Sequence, residues 1–459
     1  MNPGRCSIVV TADCAINAGF LHGRQGTVVP TTERAVRQKS QTPPKRENRS
    51  KKSNTGTADM ILPKLRNDLD VARSPVPDRP GLLLRDCFRY SDATLIIPPL
   101  LVPGLACFDG KRTESDLRAE LTRSSGSPEV GNAARQMVEA LSEAGFLEDE
   151  TYATLKEKSI SAFVQSTVRQ AAHAGSAYPL EIEPLRRMMA GYLEGADPAH
   201  ANVMGIAAPH VSPHGGWQSY RAAYKELTPA LRDRTFVILG TSHYGRPNKF
   251  GLTRKPFETP YGTATIDLAL VDELASQPAV LMEDYCHAVE HSIEFQVIFL
   301  QTIYGPGVRI LPILCGSFGR SAYTGGAPED DGDVEQFFGR LRQVAARENN
   351  RLFWVLGVDM AHMGNRYGDN FAARANHEQM TVVREQDQLR IERVLASDTH
   401  GFWDLVKQNR QDDLKWCGSS PIYTFMQAVP RARGTLLRYE QWNIDENSVV
   451  SFAGISFTA

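Results

Sequence analysis

The sequence predicts an α/β fold: a mainly parallel sheet with helices on both faces, preceded by a small α+β module. After about residue 160, strand-like runs that are apolar at every position alternate with helical stretches, as parallel strands buried on both faces require. The runs are VMGIAA, TFVILG, VRILPILC and RLFWVLG, and the helical stretches are PLRRMMAGYL, HSIEFQVIFLQTIY and DVEQFFGRLRQVAAR. The last run, SVVSFAGISF, alternates better between apolar and polar residues, which predicts an antiparallel strand at the edge of the sheet.

The chain of 459 residues is too long for one compact core, and its composition divides it into three segments. Within residues 1–60, the stretch TTERAVRQKSQTPPKRENRSKKSNTGTAD is basic, polar and almost free of large apolar side chains. Such a segment cannot offset the entropy lost on ordering, so we interpret residues 1–60 as a disordered basic tail or as an extension ahead of a start at Met60. A basic arm for an acidic partner is the alternative. Residues 160–459 form the α/β domain.

Residues 75–155 are predicted to form a small winged-helix-like module. Short apolar runs broken by Pro and Gly come first, and ESDLRAELTR and VGNAARQMVEALSEAGFLED follow as helices. In the second helix, apolar side chains recur at spacings of three and four residues; these are Ala134, Met137, Val138 and Leu141. Gly145 is predicted to end that helix in the left-handed conformation, with Phe146 folded back onto it.

The segment FDGKRTESDLRAEL followed by VEALSEAGFLED resembles PqqD-like modules, which bind peptides beside radical enzymes. A DNA-binding winged helix is the competing interpretation. Its recognition helix would carry as many acids as bases, which makes phosphate contacts unfavourable. The net charge of −2 likewise gives no reason to expect a nucleic acid or an anionic membrane as a partner.

Seven cysteines are dispersed without a pattern, which indicates reduced thiols and a cytosolic setting. No apolar run approaches the roughly 18 residues that span a bilayer. The N-terminal stretch is mildly apolar, but Asp13 interrupts it, so no signal peptide is predicted. We therefore expect a cytoplasmic protein.

Histidines follow three of the predicted strands. VMGIAA runs into Pro209-His210, VILG runs into Thr241-Ser242-His243, and FWVLG is followed by Asp359 and His362. In open α/β sheets, ligands bind beyond the carboxyl ends of the strands, so three such histidines predict a site at this edge. The Gly-bearing GTSHYG is neither a Walker A nor a dinucleotide motif, and no nucleotide is predicted.

Cys417 lies in WCGSSPIYTF, in a turn that opens a predicted helix. A thiol near a helix N-terminus has a lowered pKa, so its thiolate is available as a ligand or a nucleophile. A buried structural cysteine is the equally weighted alternative.

His287 and His291 lie four residues apart in HAVEHSIEFQ, as do Glu290 and Glu294, which predicts that each pair shares a helix face. The HExxH arrangement is absent, which argues against a metalloprotease. We predict that Glu290 and His291 line the pocket and that His287 is exposed. His214 in HVSPHGGW is a further candidate, unless its Gly-rich loop leaves it in solvent.

Seven motifs occur in the same order as in the Memo family, also called AmmeMemoRadiSam system protein B, which the chain resembles from about residue 165 to 459. They are HAGSAYP (173–179), APH (208–210), GTSHYG (240–245), FETPYGT (257–263), EHSIEFQ (290–296), DMAH (359–362) and CGSSPI (417–422). The resemblance implies a LigB-like fold, as in class III extradiol dioxygenases. It also implies metal ligands at His210, His243 and Cys417, with a further pocket set that comprises Asp359, His362, Glu290 and His291.

Two imidazoles and a thiolate leave open positions for water, oxygen or substrate on a divalent transition metal. The soft sulfur favours iron or copper, and zinc is compatible. The first hypothesis is therefore a metal-dependent oxidoreductase, with Asp359 or His362 as proton donor or acceptor and His291 positioning the bound group. The second is a non-catalytic peptide- or partner-binding module, and the third is a hydrolase with Cys417 as nucleophile.

The sequence departs from the Memo pattern in its first pocket loop and in its PqqD-like segment, and from the extradiol dioxygenases in its third ligand. The loop APHAGY is here APHVSPHGGWQSY, which is longer and carries His214. Extradiol dioxygenases use two histidines and a carboxylate, so Cys417 in the third position argues against ring cleavage. The PqqD-like segment is an addition that most members lack, and it implies a radical SAM enzyme as partner and a peptide or protein as substrate.

Overall fold

The computed structural model describes residues 9–11, 59–195 and 202–459. The predicted disordered tail, residues 1–60, falls outside the described residues except for 9–11, 59 and 60. Of these, Val9–Thr11 form a short strand that pairs antiparallel with residues 94–96. Among the described residues, no helix is long and apolar enough to cross a membrane.

Strands are labelled in chain order. They are β1 Val9–Thr11, β2 Leu69–Arg73, β3 Leu82–Asp86, β4 Thr94–Ile97, β5 Val203–Ala208, β6 Thr235–Thr241, β7 Phe250–Leu252, β8 Phe257–Thr259, β9 Gly262–Ile266, β10 Val280–Met282, β11 Arg309–Cys315, β12 Leu352–Gly357, β13 His362–Gly364, β14 Arg433–Asp445 and β15 Ser448–Thr458.

The α-helices are labelled in the same way. They are α1 Glu114–Ser125, α2 Pro128–Gly131, α3 Ala134–Glu143, α4 Glu150–Gln165, α5 Ile182–Leu193, α6 Pro213–Tyr224, α7 Leu268–Ala275, α8 Cys286–Val289, α9 Glu294–Tyr304, α10 Gly319–Thr324, α11 Gly332–Arg347, α12 Glu378–Leu395, α13 Thr399–Val406 and α14 Ser419–Ala428.

A large mixed sheet forms the centre of the α/β domain, with the order β10-β7-β11-β6-β12-β5-β15-β13. Its four middle strands, β11, β6, β12 and β5, are parallel, and they are the four runs that the sequence predicted. The predicted parallel centre is therefore confirmed. Outside it, β7 is antiparallel to β11, and β15 is antiparallel to β5.

The predicted edge position of the last strand is wrong, although its antiparallel direction is confirmed. β15 pairs with β14 along the whole of one side, and along the other side it pairs with β13 near its start and with β5 near its end. All but the last of its residues are buried, whereas β14 is half-exposed along its length. The long hairpin with β14 thus covers β15, and its burial accounts for the apolar residues that the strand carries.

Helices cover both faces of the sheet, as predicted. Side chains of β6 alternate between two apolar clusters: Phe236 and Ile238 lie in one, and Val237 and Leu239 lie in the other. The first cluster contains residues of α5, α6 and α9, and the second contains residues of α7, α11, α12, α13 and α14. Burying one large apolar side chain of this kind stabilises the fold by about 1.5–3 kcal/mol.

The N-terminal module has its own apolar core. Its strands form an antiparallel sheet in the order β1-β4-β3-β2. Leu62, between β1 and β2 in the chain, is part of the core. The predicted stripe on α3 packs into this core, with Ala134, Met137 and Leu141 fully buried. The winged-helix-like class of the module stays a prediction.

Gly145 ends α3 as predicted. Its φ is +70°, in the left-handed region that glycine adopts without strain. The backbone N–H of Phe146 donates to Leu141 O at 2.9 Å, and the Phe146 side chain is fully buried. The chain therefore folds back onto the helix, which is the arrangement expected of a glycine C-cap.

A loop of the module, residues 87–91, packs against the α/β domain. Asp86 shapes this loop by accepting the backbone N–H groups of Phe88, Tyr90 and Ser91. The Phe88 ring lies 5.3 Å from the ring of Tyr244, the residue after His243. The module therefore lies close to the strand exit that carries His243.

Candidate metal site

The predicted site lies at the carboxyl ends of three neighbouring strands. β6, β12 and β5 are adjacent in the sheet, and His243, Asp359 and His210 each follow one of them by two residues. Because the strands are parallel, these three turns lie side by side at one edge. The strand order therefore brings together residues that are up to 149 positions apart in the sequence.

His210 is 1% exposed and is held from several directions. Its Nδ1 lies 2.9 Å from Gly357 O, and its backbone N–H donates to Asp359 Oδ1 at 2.9 Å. The carbonyl oxygen can only accept, so Nδ1 carries the proton and Nε2 is left as the ligand atom. Nε2 lies 3.2 Å from Cys417 Sγ and 3.5 Å from Asp359 Oδ2.

Glu290 orients two further histidines. Its Oε1 lies 3.0 Å from His243 Nδ1 and 3.1 Å from His291 Nδ1, and its Oε2 accepts the backbone N–H of His243. Burial alone would lower the pKa of His243, but the carboxylate of Glu290 raises it well above its ordinary value. Burial lowers the pKa of His291, which favours its neutral, ligand-competent form.

Cys417 lies two residues before α14, as predicted. Its carbonyl accepts from Thr241 Oγ1 at 3.0 Å, and the next backbone N–H, of Gly418, donates to Asp359 O at 3.1 Å. Burial would raise the pKa of the Cys417 thiol, but the imidazoles of His210 and His362 outweigh burial and hold it well below its ordinary value. The thiolate is therefore the favoured form.

Asp359 and His362 border the same space. Burial raises the pKa of Asp359, which is 2% exposed, against the opposing effect of His210. His362 Nδ1 lies 2.8 Å from Met360 O, so Nδ1 carries the proton of the neutral ring and Nε2 is the atom that gains or loses one. Burial would lower the pKa of His362, but the nearby thiolate of Cys417 raises it.

Three histidines form a group that could hold a metal ion. His210, His243 and His291 each offer one ligand atom, and these atoms lie within 4.8 Å of one another. In all three rings Nδ1 already faces an oxygen acceptor, which leaves Nε2 for a metal. The group includes His291, for which the sequence predicted a positioning role. Cys417 is not one of the three, but its Sγ contacts Nε2 of His210, which is. All six predicted site residues are thus close together.

The prediction of one helix through HAVEHSIEFQ is wrong, and so is the exposure predicted for His287. α8 ends at Val289, Glu290 has ψ of 140°, and α9 begins at Glu294. Arg169 stabilises the break, since its guanidinium donates to the carbonyls of His287 and Glu290, both at 2.7 Å. His287 is consequently 1% exposed and its Nε2 lies 3.0 Å from Gly251 O.

His214 lies in the first turn of α6, not in a loop, and its side chain is exposed. Pro213 starts that helix at a position where its missing N–H costs nothing. The structure thus leaves His214 outside the group of histidines that could hold a metal.

Sequence reasoning missed a buried carboxylate behind the site. Asp387 on α12 is 0% exposed and accepts from Trp416 Nε1 at 2.7 Å and from Ser451 Oγ at 2.6 Å. Ser451 Oγ in turn accepts the backbone N–H of Ala361 at 2.8 Å. Asp387 therefore holds the residue before Cys417 and the segment between Asp359 and His362. An acid within a polar helical stretch gives no sequence signal for such a role.

The fold and the site together define a class: an α/β protein whose parallel strands end at a cluster of histidines that could hold a metal ion. The family model for Memo-like proteins matches residues 169–456. The chain therefore belongs to the Memo family.

Curated relatives agree with this assignment. A MEMO1 family protein of Aquifex aeolicus is 25% identical over 384 residues, covering 82% of this chain and 95% of that protein. A MEMO1 family protein of Methanosarcina acetivorans is 28% identical over 63% of this chain and 98% of its own. The memo-1 homolog of Caenorhabditis elegans is 29% identical over 65% of this chain and 85% of its own. The Aquifex alignment is longer than the family match, so it reaches into the residues before 169.

A solved structure of an uncharacterized Escherichia coli K12 protein, JW3007, covers 56% of this chain and 99% of its own, with 14% identity and a TM-score of 0.32.

Proposed function

We propose that the protein binds a divalent transition metal ion through His210, His243 and Cys417, with His291 as a further ligand, and acts as a metal-dependent oxidoreductase. The observation that carries the proposal is the shared orientation of the imidazoles. Each of the three has Nδ1 on an oxygen acceptor, which fixes the tautomer that presents Nε2. Histidines that serve only as packing have no reason to share one tautomer around a common space.

The charge around the site also fits a cation. Asp359 and Glu290 are both buried, and Cys417 favours its thiolate. Burial alone would lower the pKa of His210, but Asp359 and Cys417 raise it to about 9. Surroundings that favour a proton on an imidazole also favour a metal ion, and the ligands lose their protons when one binds.

The donor set favours iron or copper and is compatible with zinc, because thiolate and imidazole are soft to intermediate ligands. When bound, iron or copper would supply redox chemistry. Asp359 and His362, on the loop after β12, are the groups proposed to take up or release protons, since both border the ligands and have raised pKa values.

The test is metal analysis of the purified protein beside His243→Ala. We expect about one metal ion per chain in the wild type and at least a tenfold lower content in the variant. His400→Ala is the matched control, because His400 is an exposed histidine on α13, outside the cluster, and its loss should leave the metal content unchanged. Equal, negligible metal in all three proteins would contradict the proposal.

A hydrolase that uses Cys417 as nucleophile is the second candidate, favoured by the 3.2 Å contact between Sγ and His210 Nε2. The two functions predict different reactivity toward iodoacetamide. If Cys417 is a metal ligand, its alkylation is slow in the metal-loaded protein and at least tenfold faster after chelation. Fast alkylation that metal does not slow would favour the hydrolase.

A radical SAM enzyme and its peptide substrate are the partners that we propose for the N-terminal module. The contact between Phe88 and Tyr244 supports this proposal, because a peptide bound on the module would lie near His243. Titration of the full chain with a purified radical SAM enzyme and its substrate peptide, followed by analytical ultracentrifugation, tests it. A complex that His210→Ala leaves intact would favour the non-catalytic binding function over the oxidoreductase.

A further inference from the structure

A cavity of about 480 Å³ lies beside the histidine cluster, in the range typical of small-molecule sites. His243 and Cys417 line it, so it is continuous with the proposed metal site. Tyr323 and Arg410 also line it and are exposed, Tyr323 to 73%, so the cavity is open to solvent. A molecule bound there would lie against the residues proposed to hold the metal.

Aromatic rings form much of the wall. Trp403 and Trp416 are each 3% exposed, and Phe318 is 1% exposed. Both indole N–H groups already donate within the protein, Trp403 to Gly326 O at 2.8 Å and Trp416 to Asp387 Oδ1 at 2.7 Å. The two buried indoles therefore offer no free donor to the cavity, and its accessible aromatic surface is mainly that of Tyr323, which suits a flat apolar group.

One positive charge in the wall has no ion-pair partner in the described part of the chain. Within the residues that the structure describes, no carboxylate forms an ion pair with Arg410, whereas Lys415 pairs with Asp369 at 2.8 Å. Asp412 also lines the cavity, but it is engaged by Arg390 at 2.8 Å and by the backbone N–H of Trp416 at 3.0 Å. Of the lysine and arginine side chains that line the cavity, only that of Arg410 thus lacks a carboxylate partner among the described residues.

We propose that this cavity binds a monocarboxylate with a flat apolar body, with its charge at Arg410 and its apolar part against the aromatic wall. A guanidinium pairs with a carboxylate through two parallel hydrogen bonds, and its single charge matches a monoanion better than a phosphate dianion. The inference rests on the proposed function, because the cavity shares His243 and Cys417 with the proposed metal site. It assigns a substrate class to that site.

Calorimetric titration of the purified full chain with four probes tests the proposal. The probes are phenylacetate, neutral phenylacetamide, acetate and phenyl phosphate. Phenylacetate is expected to bind at least tenfold more tightly than each of the others, because only it has both the apolar body and the single charge. Acetate binding as tightly as phenylacetate, or phenyl phosphate binding tenfold more tightly, would overturn the assignment.

Two variants and one control locate the binding site. Arg410→Asn keeps a residue that accepts the φ of 59° found there, and it should raise the Kd of phenylacetate at least tenfold and that of phenylacetamide less than twofold. Tyr323→Ala should raise the Kd of both phenylacetate and phenylacetamide. Lys407→Ala is the control, since Lys407 pairs with Asp404 at 3.2 Å outside the cavity and should leave both Kd values unchanged. Phenylacetate binding that Arg410→Asn does not weaken would overturn the proposal.

Metal content measured on the same preparations separates this inference from the proposed function. Metal present without any preference for phenylacetate would refute the ligand class and leave the metal site standing. Phenylacetate binding that depends on Arg410, in a protein without metal, would support the cavity and refute the metal-dependent function.

Discussion

Glu290 holds His243 at two points: Oε2 accepts its backbone N–H at 2.9 Å, and Oε1 lies 3.0 Å from its Nδ1. The same Oε1 lies 3.1 Å from Nδ1 of His291. Glu290 is 2% exposed, and the two imidazoles hold its pKa well below its ordinary value despite burial. One buried carboxylate thus sets the tautomer of two histidines through Oε1 and accepts a backbone N–H through Oε2, whereas an amide would set its NH2 donor against one of these donors.

Replacing this carboxylate should weaken metal binding without removing a ligand. Glu290→Gln is expected to raise the Kd for Zn²⁺ by 10- to 100-fold, the usual effect of losing a partner that orients ligand histidines. Competition titration with a chromophoric chelator measures it. Glu258→Gln is the control, because Glu258 lies on β8 and its Oε2 contacts Gln170 away from the histidines. An unchanged Kd in Glu290→Gln would show that Glu290 does not orient the ligands.

Gly357 leaves no room for a side chain. A Cβ there would lie 2.2 Å from Ser292 O, a backbone atom next to His291, and Gly357 O accepts from His210 Nδ1. Gly357→Ala should therefore cost about 1–3 kcal/mol of unfolding free energy and weaken Zn²⁺ binding, because His291 must shift.

The control for Gly357→Ala is a glycine-to-alanine change that should raise the unfolding free energy. A Cβ at Gly339, within α11, meets nothing within 4 Å, so Gly339→Ala should stabilise the helix by about 0.5–1 kcal/mol. Urea unfolding measures both variants. If Gly357→Ala had the unfolding free energy and the Zn²⁺ affinity of the wild type, the close approach of Gly357 to Ser292 O would be contradicted.

Asp387 is expected to position Cys417 from a distance. Asp387→Asn changes one acceptor into a donor facing Tyr439 and Ser451, at a cost of about 1–3 kcal/mol. Because the donors of Tyr439 and Ser451 must then turn away, the side chain at 387 shifts and holds Trp416, the residue before Cys417, less firmly. Alkylation of Cys417 by iodoacetamide in the metal-loaded protein should therefore become faster.

Asp404→Asn controls for the loss of a carboxylate alone, because Asp404 is an exposed residue of α13, and it should change neither the unfolding free energy nor the alkylation rate. A stability loss with an unchanged alkylation rate would assign Asp387 a purely structural role.

The buried pair of Arg169 and Glu294 predicts acid sensitivity. Arg169 and the surrounding donors lower the pKa of Glu294 from 4.5 to about 2, although burial opposes this. A depressed carboxyl pKa contributes stability that is fully present above pH 4.5 and is lost as the pH falls toward 2. The contribution is about 3 kcal/mol.

Glu294→Gln should therefore be less stable than the wild type at pH 5, and the difference between the two should shrink by pH 3. Urea unfolding at both pH values measures it, with Glu258→Gln as a control, because Glu258 is only half-buried and its side chain contacts Gln170. A difference that stays constant from pH 5 to pH 3 would mean that Glu294 does not titrate in this range.

Local sequence pattern was enough to predict the parallel centre of the sheet and the residues that follow its strands. Four runs that are apolar at every position became β5, β6, β11 and β12, because a strand covered on both faces needs apolar side chains on both. Histidines placed directly after such runs had to meet at one edge, since parallel strands end together. Local pattern was sufficient for both conclusions.

Only the tertiary structure decided how the site residues are held. The helix break at Glu290 depends on Arg169, 121 residues away, and the position of Cys417 depends on His210, 207 residues away. The interior place of β15 depends on its pairing with β5 and β14. Helical periodicity reports only neighbours within a few residues, so it predicted one helix through His287 and His291. Buried hydrogen bonds and ion pairs over long separations outweigh local preference, and they form only when the chain has folded.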